Sequence, residues 1–263
     1  IPFVNIWVEN ETIGTTSETN GSFSLDIKED KVLVFSALGY EVKKASSKSE
    51  VFLLKSKVFE LKEVIIEKPK FKKEIEIGNF NKPLGFHISG DLEWSNAKFF
   101  KYDNTYEQTK FIKKIKITTR SKVNNAKFKI RIYSVNQEGY PYTDLLSEDI
   151  IVIVKKGKRN NVIDISNFKL VFPKEGLFIA YEVLKIESNK YEFKYTENES
   201  KKINKKTFYA PDFECNLVEE QNTYHFKLGK WIKLQKWHNN ETGLQERYNN
   251  KVFEPAINLI LTN

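Results

Sequence analysis

The chain has 263 residues, a net charge of +8 and a single cysteine, Cys215. This length is enough for two ordinary domains or one large β-domain with its own core, and one cysteine excludes both an intrachain disulfide and a cysteine-based metal cluster. Because no stretch approaches the roughly 20 consecutive apolar residues of a membrane helix, we expect no helical membrane-spanning segment.

The predicted elements begin with the apolar run Ile1–Val8, which indicates a strand. The chain opens on this run without an initiator methionine, so we expect a processed or truncated amino terminus. Asn20-Gly21 is a strong hairpin signal, because both residues tolerate positive φ. After this turn Phe23 and Leu25 alternate with polar residues, and we expect both to face a small core.

Five sequence elements follow one another in an order that resembles the carboxypeptidase regulatory-like domain. They are Ile1-Pro2-Phe3-Val4-Asn5-Ile6, Ile13-Gly14-Thr15-Thr16, Asn20-Gly21-Ser22-Phe23-Ser24-Leu25, Ser36-Ala37-Leu38-Gly39-Tyr40 and Leu61-Lys62-Glu63-Val64-Ile65-Ile66. The resemblance implies a small transthyretin-like β-sandwich over residues 1–67. It also implies a cell-envelope setting, since such domains are common in outer-membrane and surface proteins of Bacteroidetes-type bacteria.

Members of that family normally carry a strand ahead of the first of these elements, with a Gly-x-Val pattern. The sequence begins after that position, at Ile1. We therefore expect the missing strand to be supplied either by a segment ahead of Ile1 or by another chain. In both cases we expect an open sheet edge in the first domain.

A charged, proline-containing stretch, residues 68–80, is predicted to be a linker. Residues 81–263 show no long amphipathic helix. Alternation or short apolar runs indicate strands throughout this part, and frequent turn signals favour an antiparallel sandwich with long loops. The predicted half-buried strands are Phe111–Thr118, Ala126–Tyr133, Val162–Ile165 and Ile257–Leu261, and the strands predicted to be buried on both faces are Ile150–Val154 and Leu177–Tyr181. This part resembles jelly-roll-like β-sandwiches, so the predicted fold class is all-β.

Alternation in the strand Ala126–Tyr133 divides its side chains between two faces. Phe128, Ile130 and Ile132 are expected in the core, and Lys127, Lys129 and Arg131 are expected on a solvated face. The excess of positive charge lies beyond residue 67, because residues 1–67 hold eight lysines against eleven acidic residues. Since these lysines are dispersed along strands, we expect no nucleic-acid partner.

Motifs that carry chemistry are missing from the sequence. The histidines His87, His225 and His238 stand apart, and no nucleophile elbow or phosphate-binding loop occurs. Two acidic pairs lie two residues apart, Asp91 with Glu93 and Asp212 with Glu214, but neither has a flanking signature. We therefore predict no catalytic residues, no cofactor, no metal and no enzymatic activity.

Aromatic residues in the predicted long-loop region, residues 186–250, are the candidate binding residues. Trp231 and Trp237 are six residues apart, so on one strand they would share a face, and Tyr248 follows. Exposed tryptophans stack on sugars or anchor protein partners, while the alternative is that these rings cover the edge of the core. Trp7 and Trp94 are expected in the core.

These observations predict a non-catalytic accessory or structural subunit that binds a protein partner. The partner is expected to be an outer-membrane transport or secretion complex, and the location periplasmic or at the outer membrane. Two alternatives stay open: a carbohydrate-binding module that uses Trp231 and Trp237, and an unrecognised hydrolase.

Overall fold

The computed structural model describes residues 1–57, 72–78, 95–196, 203–238 and 246–263, and the backbone of residues 85–87. The predicted all-β class is confirmed, since the described helices are four short 3₁₀ turns: Asn104–Thr109, Ser166–Phe168, Glu187–Asn189 and Glu246–Tyr248. The strands are β1 (Asn5–Val8), β2 (Gly14–Thr16), β3 (Val32–Ser36), β4 (Lys43–Ser46), β5 (Glu74–Ile77), β6 (Gly85–His87), β7 (Ser95–Phe100), β8 (Phe111–Ser121), β9 (Ala126–Val135), β10 (Pro141–Asp144), β11 (Ile150–Val154), β12 (Gly157–Asp164), β13 (Leu177–Val183), β14 (Lys190–Thr196), β15 (Ile203–Tyr209), β16 (Asp212–Val218), β17 (Thr223–Lys227), β18 (Lys230–Lys233), β19 (Val252–Pro255) and β20 (Ile257–Thr262).

The first domain contains an antiparallel sheet in the order β2-β1-β3-β4. Alternation in β1 and β3 directs one set of apolar side chains into a small core formed by Val4, Ile6, Val8, Leu33 and Phe35. The other face of this sheet carries Trp7 and Val34, which pack against Phe226 of β17. The sheet is therefore covered on both faces, once by its own chain segments and once by the second domain.

The second domain is a sandwich of two sheets. One has the order β10-β9-β13-β7-β17-β18, with β11 also on β9, and the other has the order β19-β16-β8-β20-β5, with β12 on β8 and β6 on β16. Between them lies one large core, to which β8, β9, β13 and β20 each contribute alternate apolar side chains. Strands β14 and β15 pair only with each other in the described part of the chain.

Two expectations about strand burial were wrong. Ile150–Val154 was expected to be buried on both faces, but among the described strands β11 pairs with β9 alone, and Ile153 is 61% exposed. In contrast, Lys129 and Arg131 of β9 were expected in solvent and are only 1% and 8% exposed. The first domain lies on that face of β9, and alternation within a strand does not tell what covers its polar side.

Part of the stretch predicted to be a linker is a strand. Residues Glu74–Ile77 pair with β20, from Leu259↔Ile77 to Thr262↔Glu74. Residues 68–71, 79 and 80 of the same stretch lie outside the described residues, as do Leu61–Ile66, the Asp91/Glu93 pair and Trp94. Trp7, also expected in a core, is 9% exposed.

Candidate functional site

Two extended segments of the first domain look like strands but belong to none of the sheets that the described residues form. In residues 22–27 the side chains of Phe23, Leu25 and Ile27 pack on the small core, and Ser24 and Asp26 between them are exposed. Residues 51–54 behave alike, since Phe52 and Leu54 pack inward. Alternation of this kind is typical of β-strands, yet neither segment forms a ladder with any described residue.

A cleft of about 670 Å³ lies along these two segments, and its walls include Phe23, Leu25, Phe52 and Leu54. At one end of the cleft the amino group of Ile1 lies close to Gly21. A Cβ at position 21 would stand 2.8 Å from the Ile1 nitrogen. The rings of Phe35 and Phe52 form the floor, with centroids 4.4 Å apart. The cleft, named here the strand cleft, is bordered by extended backbone and has aromatic rings at its floor, and its lining also contains serines and Glu50.

The direction of the backbone groups follows from the neighbouring hydrogen bonds. Glu41 N–H donates to the carbonyl of Lys55, and the Lys43 ammonium donates to the carbonyl of Leu53. Since successive residues of an extended chain point their backbone groups to opposite edges, those of Phe52 and Leu54 point away from this edge. The backbone groups of Phe52 and Leu54 thus point toward the strand cleft, which is the arrangement that pairing with an added β-strand requires.

A second candidate site lies where the two domains meet. The strand register of one sheet of the sandwich places five side chains in a row across neighbouring strands. In order, they are Lys129, Glu182, Ser95, Phe226 and Trp231. This row is on the outer face of the sheet, beneath the first domain. It combines two charges, a hydroxyl and two aromatic rings.

Charged side chains, most of them buried, surround Lys129 and Glu182 in this row. Arg131 Nε lies 2.8 Å from Asp144 Oδ2 and 3.7 Å from Glu182 Oε1, and its Nη1 donates to Asp149 Oδ1 at 3.0 Å. The Lys129 ammonium is 3.0 Å from Asp149 Oδ2 and donates to the carbonyl of Phe3 at 2.8 Å. The last of these contacts joins the two domains through a buried lysine.

The low polarity of the junction changes the ionisation of its groups. Burial raises the pKa of Asp144 to about 6, although the Arg131 guanidinium acts in the opposite direction. Burial, followed by the Glu182 carboxylate, also raises the pKa of Tyr133. For Arg131 burial lowers the pKa, but Glu182, Tyr133 and Asp144 outweigh it and the pKa is raised, so the guanidinium stays charged.

A cavity of about 440 Å³, named here the junction cavity, opens beside these charges. Its lining includes Asn5 and Trp7 from the first domain and Ser95, Glu182 and Trp231 from the second. Three buried atoms of these residues have no hydrogen-bond partner among the described residues: Asn5 Oδ1, Ser95 Oγ and Glu182 Oε2. Unpaired buried polar atoms are costly, so this cavity offers hydrogen-bonding capacity that the protein leaves unused.

The candidate aromatic residues are divided between two places. Trp231 lines the junction cavity and packs edge-on against Tyr133 and Phe226, with centroids 5.5 and 5.3 Å away. Trp237 follows the end of β18 at Lys233, so the strand face that Trp231 and Trp237 were expected to share is not formed.

The other two candidate rings lie near the carboxyl-terminal part of the chain. Trp237 is 37% exposed, and its backbone bonds to Asn250 and Lys251. Tyr248 packs against Phe253, with the Arg247 guanidinium 4.7 Å from the Tyr248 ring centroid. Their binding role stays a prediction.

The remaining candidates for chemistry take part in structure. His225 is buried, and its Nδ1 is bonded to Asn96 Oδ1; burial lowers its pKa to about 4. Glu214 is bound by Arg120 and Lys158, each with a nitrogen–oxygen distance of 3.1 Å. Within the described residues no group of three His, Cys, Asp or Glu side chains is placed to hold a metal ion.

The signal that sequence reasoning missed was the charge on β9. Lys129 and Arg131 alternate with core residues, which is also what a solvated strand shows. Lys129 and Arg131 are part of a site because the first domain lies on that face of β9.

Residues 1–66 match the family model of the CarboxypepD_reg-like domain. The resemblance expected for the first part of the chain is thus confirmed, and the strand cleft lies within this CarboxypepD_reg-like domain. Domains of this family are of a non-catalytic, regulatory or binding kind. None of the curated proteins compared with the chain matches it.

One similar solved chain comes from the structure of the infectious bursal disease virus Gx strain. It is 10% identical, with a TM-score of 0.23, and the match covers 99% of the present chain and 56% of the viral chain. The present chain therefore spans little more than half of that protein's length, and at this TM-score the likeness carries no statement about the sandwich. Among the described residues no helix is both long and apolar enough to cross a membrane.

Proposed function

We propose that the chain is a non-catalytic subunit of a bacterial cell-envelope complex, located in the periplasm or at the outer membrane, which acts by binding a protein partner. The binding step is the addition of a partner strand to the strand cleft of the CarboxypepD_reg-like domain. Support for the location comes from the kind of protein in which this domain commonly occurs.

The proposal rests on the two extended segments on either side of the strand cleft, residues 22–27 and 51–54. Their inward and outward side chains alternate as in a β-strand, but they pair with no described strand. A strand placed between them gains backbone hydrogen bonds along its length, and its inward side chains meet Phe23, Phe35 and Phe52. Backbone pairing supplies affinity in strand addition, while the inward pockets supply specificity. The partner segment is therefore extended, about six residues long, with apolar side chains at alternate positions.

The outer surface of the second segment supports the same conclusion. Val51 and Leu53 are 75% and 78% exposed, although they lie in an extended segment whose inner side chains are already apolar. Large apolar side chains that project beside an open edge extend the area available to a protein partner. Among the described residues that line the cleft, acidic and histidine side chains form no cluster.

Proline substitution tests strand addition with a matched control. Leu54→Pro removes an N–H that points to the strand cleft, whereas Leu53→Pro removes one that points to the opposite edge. Because Leu54 packs on the core and Leu53 is exposed, Leu54→Ala, which keeps the N–H, controls for the lost core side chain. The variants are used to recover partners from solubilised envelope membranes after their folding has been checked by circular dichroism. We expect loss of the partner with Leu54→Pro and its retention with Leu53→Pro.

A photo-crosslinking amino acid in place of Phe52 identifies what occupies the cleft. Cross-linking to an extended segment of a second protein, lost in the presence of Leu54→Pro, supports the proposal. Cross-linking to another part of the same polypeptide refutes partner strand addition. Equal recovery of partner by both proline variants also refutes it, because the contact then lies elsewhere.

A further inference from the structure

The junction cavity lies beside a cluster of ion-paired charges. Lys129 and Arg131 supply two buried positive charges, Asp144 and Glu182 supply two negative ones, and the third carboxylate, Asp149, has a side chain that is 29% exposed. Of the two buried carboxylates Glu182 is the more weakly paired, because Arg131 Nε lies 2.8 Å from Asp144 Oδ2 and 3.7 Å from Glu182 Oε1. The lysine of the cavity lining, Lys57, is exposed, so water screens its charge.

The unpaired atoms of the cavity lining point to a ligand that donates hydrogen bonds. Glu182 is 5% exposed, and its Oε2 has no hydrogen-bond partner among the described residues, although its Oε1 faces Arg131. Asn5 Oδ1 is likewise buried and unpaired within the described part of the chain. A carboxylate oxygen and an amide oxygen both accept, so their shared complement is a group with several N–H donors.

Aromatic rings form the rest of the wall. Trp231 and Phe226 follow Glu182 and Ser95 along the same cross-strand row, and Trp7 packs edge-on against Phe226, with centroids 6.0 Å apart. Aromatic faces attract cations, most strongly where water is excluded. A buried carboxylate with an oxygen unpaired among the described residues distinguishes this cavity from the strand cleft, where the acidic residue of the lining, Glu50, is exposed.

We infer that the junction cavity binds a small ligand carrying one cationic amine or guanidinium group, either free or as the side chain of a peptide. The cation lies between Glu182 Oε2 and Asn5 Oδ1 and against the Trp231 side of the cavity. This site is independent of the strand cleft, and the inference does not rest on the proposed partner binding.

The test measures binding of n-butylammonium and n-butylguanidinium to the full chain by calorimetry and by Trp fluorescence, with n-butanol as the neutral control of equal length. We expect saturable binding of the two cations that weakens with added salt, and no binding of the alcohol. Glu182→Gln keeps the shape of the side chain but removes its charge. It is expected to weaken cation binding about tenfold or more.

Glu192→Gln is the matched control, because Glu192 forms a surface pair with Lys205 in the β14–β15 hairpin. This variant is expected to leave cation binding unchanged. Asn5→Ala provides a second probe of the cavity if Glu182→Gln does not fold, and it is expected to weaken binding several-fold. Equal binding of n-butanol, or binding of neutral sugars in place of the cations, would overturn the inference. Failure of both cations to bind would do the same. A lysine-containing peptide compared with n-butylammonium then distinguishes a peptide ligand from a free amine.

Discussion

The buried contact between Lys129 and the first domain permits a quantitative test of how the domains are joined. In Lys129→Met the chain loses the charged hydrogen bond to the Phe3 carbonyl, which spans 2.8 Å, and leaves that carbonyl without this donor. Asp149 keeps Arg131 as a partner at 3.0 Å, so no carboxylate is orphaned. A lost hydrogen bond to a charged group costs about 2–3 kcal/mol, and we expect the free energy of unfolding to fall by that amount.

Urea unfolding followed by Trp fluorescence and by circular dichroism measures this change, because Trp7 and Trp231 both lie at the junction. Lys44→Met is the control: Lys44 also lies on a strand and pairs with a glutamate, Glu9, but is 61% exposed. Little change is expected there, as for other exposed pairs. If Lys129→Met proves no more destabilising than Lys44→Met, the buried lysine does not hold the domains together and the reasoning fails.

Three further predictions concern stability. Lys98→Met leaves Glu254, which pairs with Lys98 at 2.8 Å, as an uncompensated buried carboxylate, so chemical denaturation should show a loss of about 3–5 kcal/mol, mostly recovered by adding Glu254→Leu. His225 has a folded-state pKa of about 4 against an ordinary 6.5, so the unfolded state takes up the proton first. Stability should therefore decline by about 3 kcal/mol as the pH falls from 6.5 to 4, beyond the loss seen in His225→Gln at the same pH values. Trp231→Ala should lower the melting temperature clearly, and Trp237→Ala only slightly, because the first ring is packed between two others and the second is 37% exposed.

The sequence was sufficient for the class of fold and for most strands of the sandwich. Period-two alternation in Ala126–Tyr133 and the apolar run at Leu177–Tyr181 predicted β9 and β13, which are central in their sheet. Such patterns report which side of a strand meets the nearest core. They do not report position within a sheet, which is why the edge strand Ile150–Val154 was expected to be buried.

Neither candidate site was visible in full from the sequence. Trp231 was singled out as a binding residue, but Glu182 and Ser95 were not, because only the strand register places the three in one row. The first domain, which covers this row, is a separate and earlier part of the chain. The open edge of the first domain was expected from the family resemblance, whereas the depth of the strand cleft depends on how residues 51–54 are placed.

The pairing of β5 with β20 has a practical consequence for dissecting the protein. A fragment that begins at residue 81, where the sequence pattern placed the second domain, would lack Glu74–Ile77 and would leave one side of β20 without its neighbour. Exposed strand edges recruit other chains and promote aggregation. Fragments of the second domain that retain residues 72–78 should accordingly stay monodisperse in solution, whereas shorter ones should precipitate.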